Sequence, residues 1–257
     1  MVDLTGQRGL IVGIANDKSI AYGCASVMHQ HGAELAITYL NAKAEPYVRP
    51  LAEAVGAPIF LPLDVQNEAE LEAVFSAIQA QWGSLDFVVH SIAFAPLTDL
   101  KGRLIDCSAE GFLLAMNISC HSFIRMARYA EPLLSKGKGS LLAMSYYGSE
   151  KVVHNYAIMA PVKAALETTV RYLAAELGDK GINVNALSPG TIATRAAGGL
   201  SDFGQLMDRS REVTPLKRLP TIEDVGNMAA FLVSDEGQYI TGDILYVDGG
   251  LHIMGPG

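Results

Sequence analysis

Residues 9–23 read Gly9-Leu10-Ile11-Val12-Gly13-Ile14-Ala15-Asn16-Asp17-Lys18-Ser19-Ile20-Ala21-Tyr22-Gly23, and this stretch decides the fold. A short β-rich run ends at Gly13. A polar loop follows, and from about Ser19 to His31 the apolar residues Ile20, Cys24, Val27 and Met28 recur at helical spacing. Glycine lets the backbone turn and approach a ligand. A helix that starts just beyond the turn offers free N–H groups and a positive dipole end, which suit a pyrophosphate. Ser19 can cap that helix or donate to phosphate. The strict Gly-x-Gly-x-x-Gly fingerprint is absent, so the segment alone also reads as a plain strand–turn–helix.

The same alternation continues along the chain. Strands are expected at Glu34 to Thr38, Ile59 to Leu63, Asp86 to His90, Ser140 to Met144, Ile182 to Leu187 and Asp243 to Val247. Helices are expected at Glu68 to Trp82, about Glu110 to Leu134, Ala157 to Leu177 and Ile222 to Val233. Strand–helix alternation implies parallel pairing with right-handed crossovers. The predicted fold class is α/β: one Rossmann-like, doubly wound parallel sheet of about seven strands with helices on both faces, in a single domain over 1–257. Residues 191–211 are weakly patterned and rich in small and polar residues, which reads as a lid. In such sheets ligands bind at the carboxyl ends of the strands. Chemistry is therefore expected in Gly13 to Ser19, Asp64-Val65, Ser91 to Ala95, Ser145 to Tyr156 and Ser188 to Thr194.

Composition removes several classes. Nineteen basic and 27 acidic residues give a net charge of −8, and half of the 257 residues are hydrophobic. A chain this long and apolar builds a core without disulfides, and its acidity argues against nucleic-acid partners or an anionic membrane surface. Cys24, Cys107 and Cys120 form no Cys-x-x-Cys pair and read as reduced thiols, and no cluster has metal-ligand spacing. No apolar run is long enough to span a membrane and the start lacks a secretory pattern, so a cytoplasmic protein is expected.

After the expected second strand the chain reads Thr38-Tyr39-Leu40-Asn41-Ala42-Lys43, with no acid to hold an adenosine ribose. This leaves NADH against NADPH open. Asp64 and the Val65 backbone are positioned to meet an adenine, or Asp64 is a cap or turn residue. Further on, Tyr156 precedes Lys163 by seven residues. A phenol with a pKa near 10 is a poor acid at neutral pH, and a nearby ammonium favours its ionised form. The nearer match, Tyr147 with Lys151, contains a glycine and lies in the loop after a strand, so it is set aside as the active pair.

These residues resemble the short-chain dehydrogenase/reductase superfamily, whose usual signature is Tyr-x-x-x-Lys. The longer spacing, together with Ser19-Ile20-Ala21-Tyr22-Gly23, Ser91-Ile92-Ala93-Phe94-Ala95, Ser145-Tyr146, Asn155-Tyr156, Met159, Lys163 and Val247-Asp248-Gly249-Gly250, resembles one branch of it: the NADH-type enoyl-acyl-carrier-protein reductases of bacterial fatty-acid synthesis. The resemblance covers nearly the whole chain. It implies an oxidoreductase that takes hydride from NADH (NAD as product, NADPH not excluded) to C3 of a trans-2-enoyl thioester, the last step of the fatty-acid elongation cycle. It implies that Tyr156 stabilises the enolate, that Lys163 holds the cofactor ribose, and that Tyr146 lines the same site. Three residues are about one turn of helix, so the longer spacing sets the phenol back from where a ketone would be reduced. By the same carry-over Gly13, Ser19, Ile20, Leu40, Asp64, Val65, Ser91, Ile92, Ala93, Ile192 and Thr194 meet cofactor. Ala95, Met159, Leu200 and Phe203 join the tyrosines around substrate. It further implies enoyl-acyl carrier protein as partner and a homotetramer packed through long helices.

The chain departs from that pattern in places. Leu40 stands where NADH-using relatives often have glutamine. Ala160-Pro161-Val162 replaces a small-residue stretch, which puts the helix start close to Met159, because proline is tolerated only in the first turn. Within 191–211 the positive charges are Arg195, Arg209 and Arg211. Two rival readings are a carbonyl-reducing short-chain dehydrogenase and a cofactor-binding protein without turnover.

Overall fold

The computed structural model describes residues 2–134, 138–194 and 203–255. Seven strands form one parallel sheet: β1 (Arg8–Val12), β2 (Glu34–Tyr39), β3 (Ile59–Pro62), β4 (Phe87–His90), β5 (Gly139–Met144), β6 (Ile182–Pro189) and β7 (Ile244–Val247), in the order β3-β2-β1-β4-β5-β6-β7. The strands are short runs of Val, Ile and Leu because both faces are covered; every residue of β4 and β5 is buried. The chain first builds outward from β1 to β3. It then returns to the other side of β1 for β4, where Val12 pairs with His90. The crevice at that reversal is where ligands of such sheets bind.

Helices α1 (Ile20–Gln30), α2 (Glu45–Ala54) and α9 (Ile222–Val233) flank the sheet, with α1 and α9 on one face. Helices α3 (Glu68–Trp82), α5 (Ala109–Met116), α6 (Ser122–Ala130) and α7 (Met159–Leu177) cover the other. A one-turn α4 (Leu97–Leu100) follows β4, and α8 (Phe203–Val213) precedes α9.

All seven expected strands are present, each within two residues of its expected ends. Three helices differ from expectation. α2 carries Pro46 and Pro50, which hide a helix from a propensity reading. α8 occupies part of the stretch that reads as weakly patterned. The long helix after β4 is interrupted by a π-helical turn, Asn117–His121, a local feature that often accompanies functional sites.

Candidate active site

The loops at the carboxyl ends of β1 and β4 touch. Gly13 has φ +111°, and a Cβ placed there would lie 2.1 Å from the Ser91 carbonyl oxygen. Ser91 N–H in turn donates to Val12 O at 3.0 Å. Beyond Gly13 the Ser19 hydroxyl accepts from the amides of Ala15 and Asn16 at 3.0 and 3.1 Å. Ser19 is the residue before α1, but its side chain does not cap the helix. That corrects the expected capping role: the hydroxyl is used to fold the loop. The first turn of α1 carries no acid and no side-chain cap; Tyr22 and Gly23 N–H donate to Ser19 O at 2.9 and 3.1 Å, and the positive end of the helix suits an anion.

Elsewhere on this rim, Leu40 is exposed beyond β2, and Val65 is buried so that only its backbone is on offer. Asp64 Oδ1 accepts from Gln66 N–H at 3.0 Å, the turn role left open by the sequence. Ser91, Ile92 and Ala95 are half-buried and Ala93 is exposed. The segment is braced from the π-helical turn: the buried Ser119 hydroxyl accepts from Phe94 N–H at 2.8 Å and donates to Phe94 O at 3.0 Å. Ile192 packs at the edge of the core and Thr194 is half-buried. Leu200 lies outside the described residues. Phe203 begins α8, and its side chain is likewise outside them.

At the end of β5 lies the densest group of unusual side chains. The ring of Tyr156 is buried, 4.9 Å from that of Tyr146 between centroids, and Tyr146 meets Tyr147 edge-on at 4.8 Å. Gly148 forms the floor: a Cβ there would sit 2.6 Å from Tyr156 Cδ1. Lys163 is buried and its Nζ donates to Met144 O at 2.6 Å; its other two protons have no partner among the described residues. Lys151, by contrast, is exposed, in keeping with its being set aside. Met159 is buried among core residues, which favours packing over pocket lining.

The helix start expected close to Met159 is found there, so Tyr156 precedes the helix of Lys163. α7 begins at Met159, and Tyr156 sits in the preceding turn between Asn155 and Ala157, whose φ values are +60° and +28°. Non-glycine residues rarely adopt such angles, and clusters of them mark functional sites. One expectation is corrected: Lys163 does not bring the phenol towards ionisation. Burial, followed by Tyr146 and Glu167, holds the Tyr156 hydroxyl well above the ordinary tyrosine pKa. Tyr156 is therefore a hydrogen-bond donor that keeps its proton. Burial alone pushes Lys163 down to about 8, partly offset by Cys120 and Glu167.

Sequence reasoning missed two buried polar groups. Glu167 accepts from the hydroxyls of Ser145 and Ser149; a charged residue one turn beyond Lys163, among Val162, Leu166 and Val170, is the signal that exposes it. His90, fully buried at the end of β4, lies 2.7 Å through Nε2 from Ser122 Oγ. Ser122 gives its own proton to Ile118 O, so Nε2 is the donor. Burial and then the Lys163 charge push His90 down to about 3, so it stays neutral and is no proton source at neutral pH.

A doubly wound sheet with a buried tyrosine and lysine beside its switch point defines an oxidoreductase of the short-chain dehydrogenase/reductase type. Residues 13–252 match the family model described as enoyl-(acyl carrier protein) reductase, and the chain belongs to that family. It is 45% identical over 252 residues to the enoyl-acyl-carrier-protein reductase (NADH) of Aquifex aeolicus, covering 98% of this chain and 93% of the relative. Among solved structures, the Anaplasma phagocytophilum reductase in complex with NAD superposes with a TM-score of 0.93 at 44% identity, covering 98% and 94% of the two chains. The Bacillus cereus enoyl-acyl carrier protein reductase, solved with NADP+ and an indole naphthyridinone, superposes with a TM-score of 0.96 at 43% identity over the whole of both chains.

Proposed function

We propose that this chain reduces the trans-2 double bond of enoyl thioesters carried on acyl carrier protein, with NADH as the hydride donor, as the last step of fatty-acid elongation. The residues present fit a dinucleotide. α1 follows the carboxyl end of β1 at the switch point and has no side-chain cap, Gly13 keeps its loop free of a side chain, and Lys163 has two donors without a partner among the described residues to offer ribose hydroxyls. When bound, the reduced nicotinamide supplies the hydride. Gly13, Ser19, Ile20, Leu40, Asp64, Val65, Ser91, Ile92, Ala93, Ile192 and Thr194 form its surroundings in this reading. The absence of an acid after β2 leaves room for NADPH as well.

Negative charge develops on the thioester oxygen, two carbons from the carbon that receives hydride. The observation that carries the reading is the state of Tyr156: its ring is buried, its hydroxyl has no partner among the described residues, and burial keeps it protonated. Such a hydroxyl donates to an oxyanion without first giving up another bond. Tyr146 holds the ring from the side, and Lys163 orients the cofactor. Ala95 lies on the substrate side in this reading.

The experiment is a crotonyl-thioester assay with NADH and with NADPH on wild type, Tyr156→Phe and Lys163→Ala, beside a panel of 3-oxoacyl thioesters and ketones. Loss of enoyl turnover in both variants supports the reading. Turnover of ketones alone, or a Tyr156→Phe variant as active as wild type, overturns it.

A homotetramer in the cytoplasm completes the proposal. Leu113, Ile124 and Tyr172, on α5, α6 and α7, are exposed by 67, 39 and 69%, and large exposed apolar residues on these helices favour a second copy as cover. Sedimentation analysis tests it. No helix among the described residues is long and apolar enough to cross a membrane.

A further inference from the structure

Glu167 is 4% exposed, in the middle of α7 and one helical turn beyond Lys163. A buried carboxylate is costly unless hydrogen bonds satisfy it. Here both bonds reach the same oxygen: Ser145 Oγ donates to Oε1 at 2.5 Å and Ser149 Oγ at 2.7 Å. Those serines are the two ends of a five-residue segment, Ser145-Tyr146-Tyr147-Gly148-Ser149. Between them lie the ring that packs on Tyr156 and the glycine that forms its floor. The residue just before the segment, Met144, is held by Lys163. α7 thus grips the chain after β5 at three points, two of them through one carboxylate oxygen.

We propose that Glu167 is a positioning residue for the tyrosine pair: its carboxylate clamps both ends of the Ser145–Ser149 segment and so seats Tyr146 and Gly148 against the Tyr156 ring. That this ring belongs to the catalytic donor rests on the function proposed above. The clamp also gives the Ser145 hydroxyl a fixed duty. Its proton is committed to Glu167, so it is not a donor to substrate. The negative charge has two further effects: it offsets part of the burial penalty on Lys163 and helps keep the Tyr156 hydroxyl protonated.

The test compares Glu167→Ala, Glu167→Gln and a Ser145→Ala/Ser149→Ala double variant. Glutamine keeps a carbonyl oxygen that accepts from both hydroxyls and removes only the charge. In the crotonyl-thioester assay, the alanine variants are expected to lose about 10- to 100-fold in kcat through misplacement, with the KM for NADH changed less than about 2-fold. The glutamine variant is expected to stay within about 3-fold of wild type, because the acceptor survives. A crystal structure of the double variant is expected to show the segment displaced and the Tyr146–Tyr156 separation changed from 4.9 Å. A folded double variant with wild-type kcat, unmoved rings, or a glutamine variant as impaired as the alanine one overturns the clamp. If Glu167→Ala does not fold, the serine variants carry the test. Wild type and Tyr156→Phe run alongside. If wild type fails to reduce the enoyl thioester, the proposed function falls, and the clamp is judged on ring displacement alone.

Discussion

Lys163 Nζ donates to the carbonyl of Met144 at 2.6 Å, so the first turns of α7 are tied to the last residue of β5 inside a buried site. Burial is also what pushes this lysine down to about 8. Below that pH it is an ammonium, with the charge the proposed ribose contact needs; above it the charge is lost. The pH profile of kcat/KM, which reports the free enzyme, is therefore expected to fall above pH about 8. Stability moves the other way. The unfolded lysine binds its proton more tightly than the folded one, so this residue's burial penalty is complete below the folded value. It is relieved as pH rises towards the ordinary lysine value. A profile flat to pH 10 would show that another group controls the activity.

Tyr156 separates chemistry from packing. Its ring belongs to the core, yet its hydroxyl has no partner among the described residues. Tyr156→Phe keeps the ring and breaks no hydrogen bond, so its stability is expected to stay within about 0.5 kcal/mol of wild type. Its kcat is expected to fall about 100-fold, the scale for losing an oxyanion donor. Tyr156→Ala is expected to cost about 3 kcal/mol or more from the cavity it leaves. Urea unfolding of both variants checks the first and third values, and the enoyl assay checks the second. A Phe variant as unstable as the Ala one would mean that the hydroxyl is structural.

The fold was legible because local signals agree with tertiary burial. α3 and α9 begin and end where read, since their ends carry explicit caps: Asn67 accepting from Ala69 N–H, Gly83 in a left-handed conformation, and Thr221 with Asp224 in a capping box. α2 was not legible, because two prolines mask it and only Val48 and Ala52 are buried along it. At the site, the residue types were readable but their geometry only in part. Pro161 announced the helix start near Met159 and so left Tyr156 ahead of the helix of Lys163. What no residue type announces is the pair of positive φ angles at Asn155 and Ala157 that shape the turn holding the phenol. The sign of its pKa shift depends on burial, which spacing does not encode. Glu167 escaped notice for the same reason: a charged residue on an apolar helix face looks like noise until two serines from another element are found against it.

Gly148 is expected to be as sensitive as a catalytic residue without touching substrate. A Cβ there would lie 2.6 and 2.8 Å from Tyr156 Cδ1 and Cε1, and 3.2 Å from Tyr146 Cδ1. Gly148→Ala must move one ring or the segment itself. A shift of about 1 Å at a reacting group costs roughly 100-fold in rate. The expected outcome is a fall in kcat of that order with NADH affinity close to wild type, measured by enoyl turnover and by cofactor fluorescence titration. An equal loss of cofactor affinity would place the damage at the ribose site rather than at the tyrosines.

Gly13 is expected to fail on the cofactor side. Its φ of +111° lies where an L side chain is strained, and the added methyl carbon would stand 2.1 Å from the backbone oxygen of Ser91. That neighbour is not the end of a flexible side chain. It is fixed by the bond from Ser91 N–H to Val12 O that prolongs the β1–β4 pairing. Relief therefore requires the two loops at the switch point to part, which widens the crevice and turns the start of α1 away from it. Gly13→Ala is expected to lose about 2 to 4 kcal/mol of stability, from backbone strain plus overpacking, and to bind NADH at least about 10-fold more weakly as the helix end is displaced. Gly178→Ala is the control. Nothing lies within 4 Å of its added carbon and its φ is −65°, so it is expected to stay within about 0.5 kcal/mol of wild type. Thermal unfolding and cofactor titration of the two variants decide the matter: a Gly13→Ala protein that melts and binds NADH like Gly178→Ala would show that the loops at β1 and β4 separate without consequence.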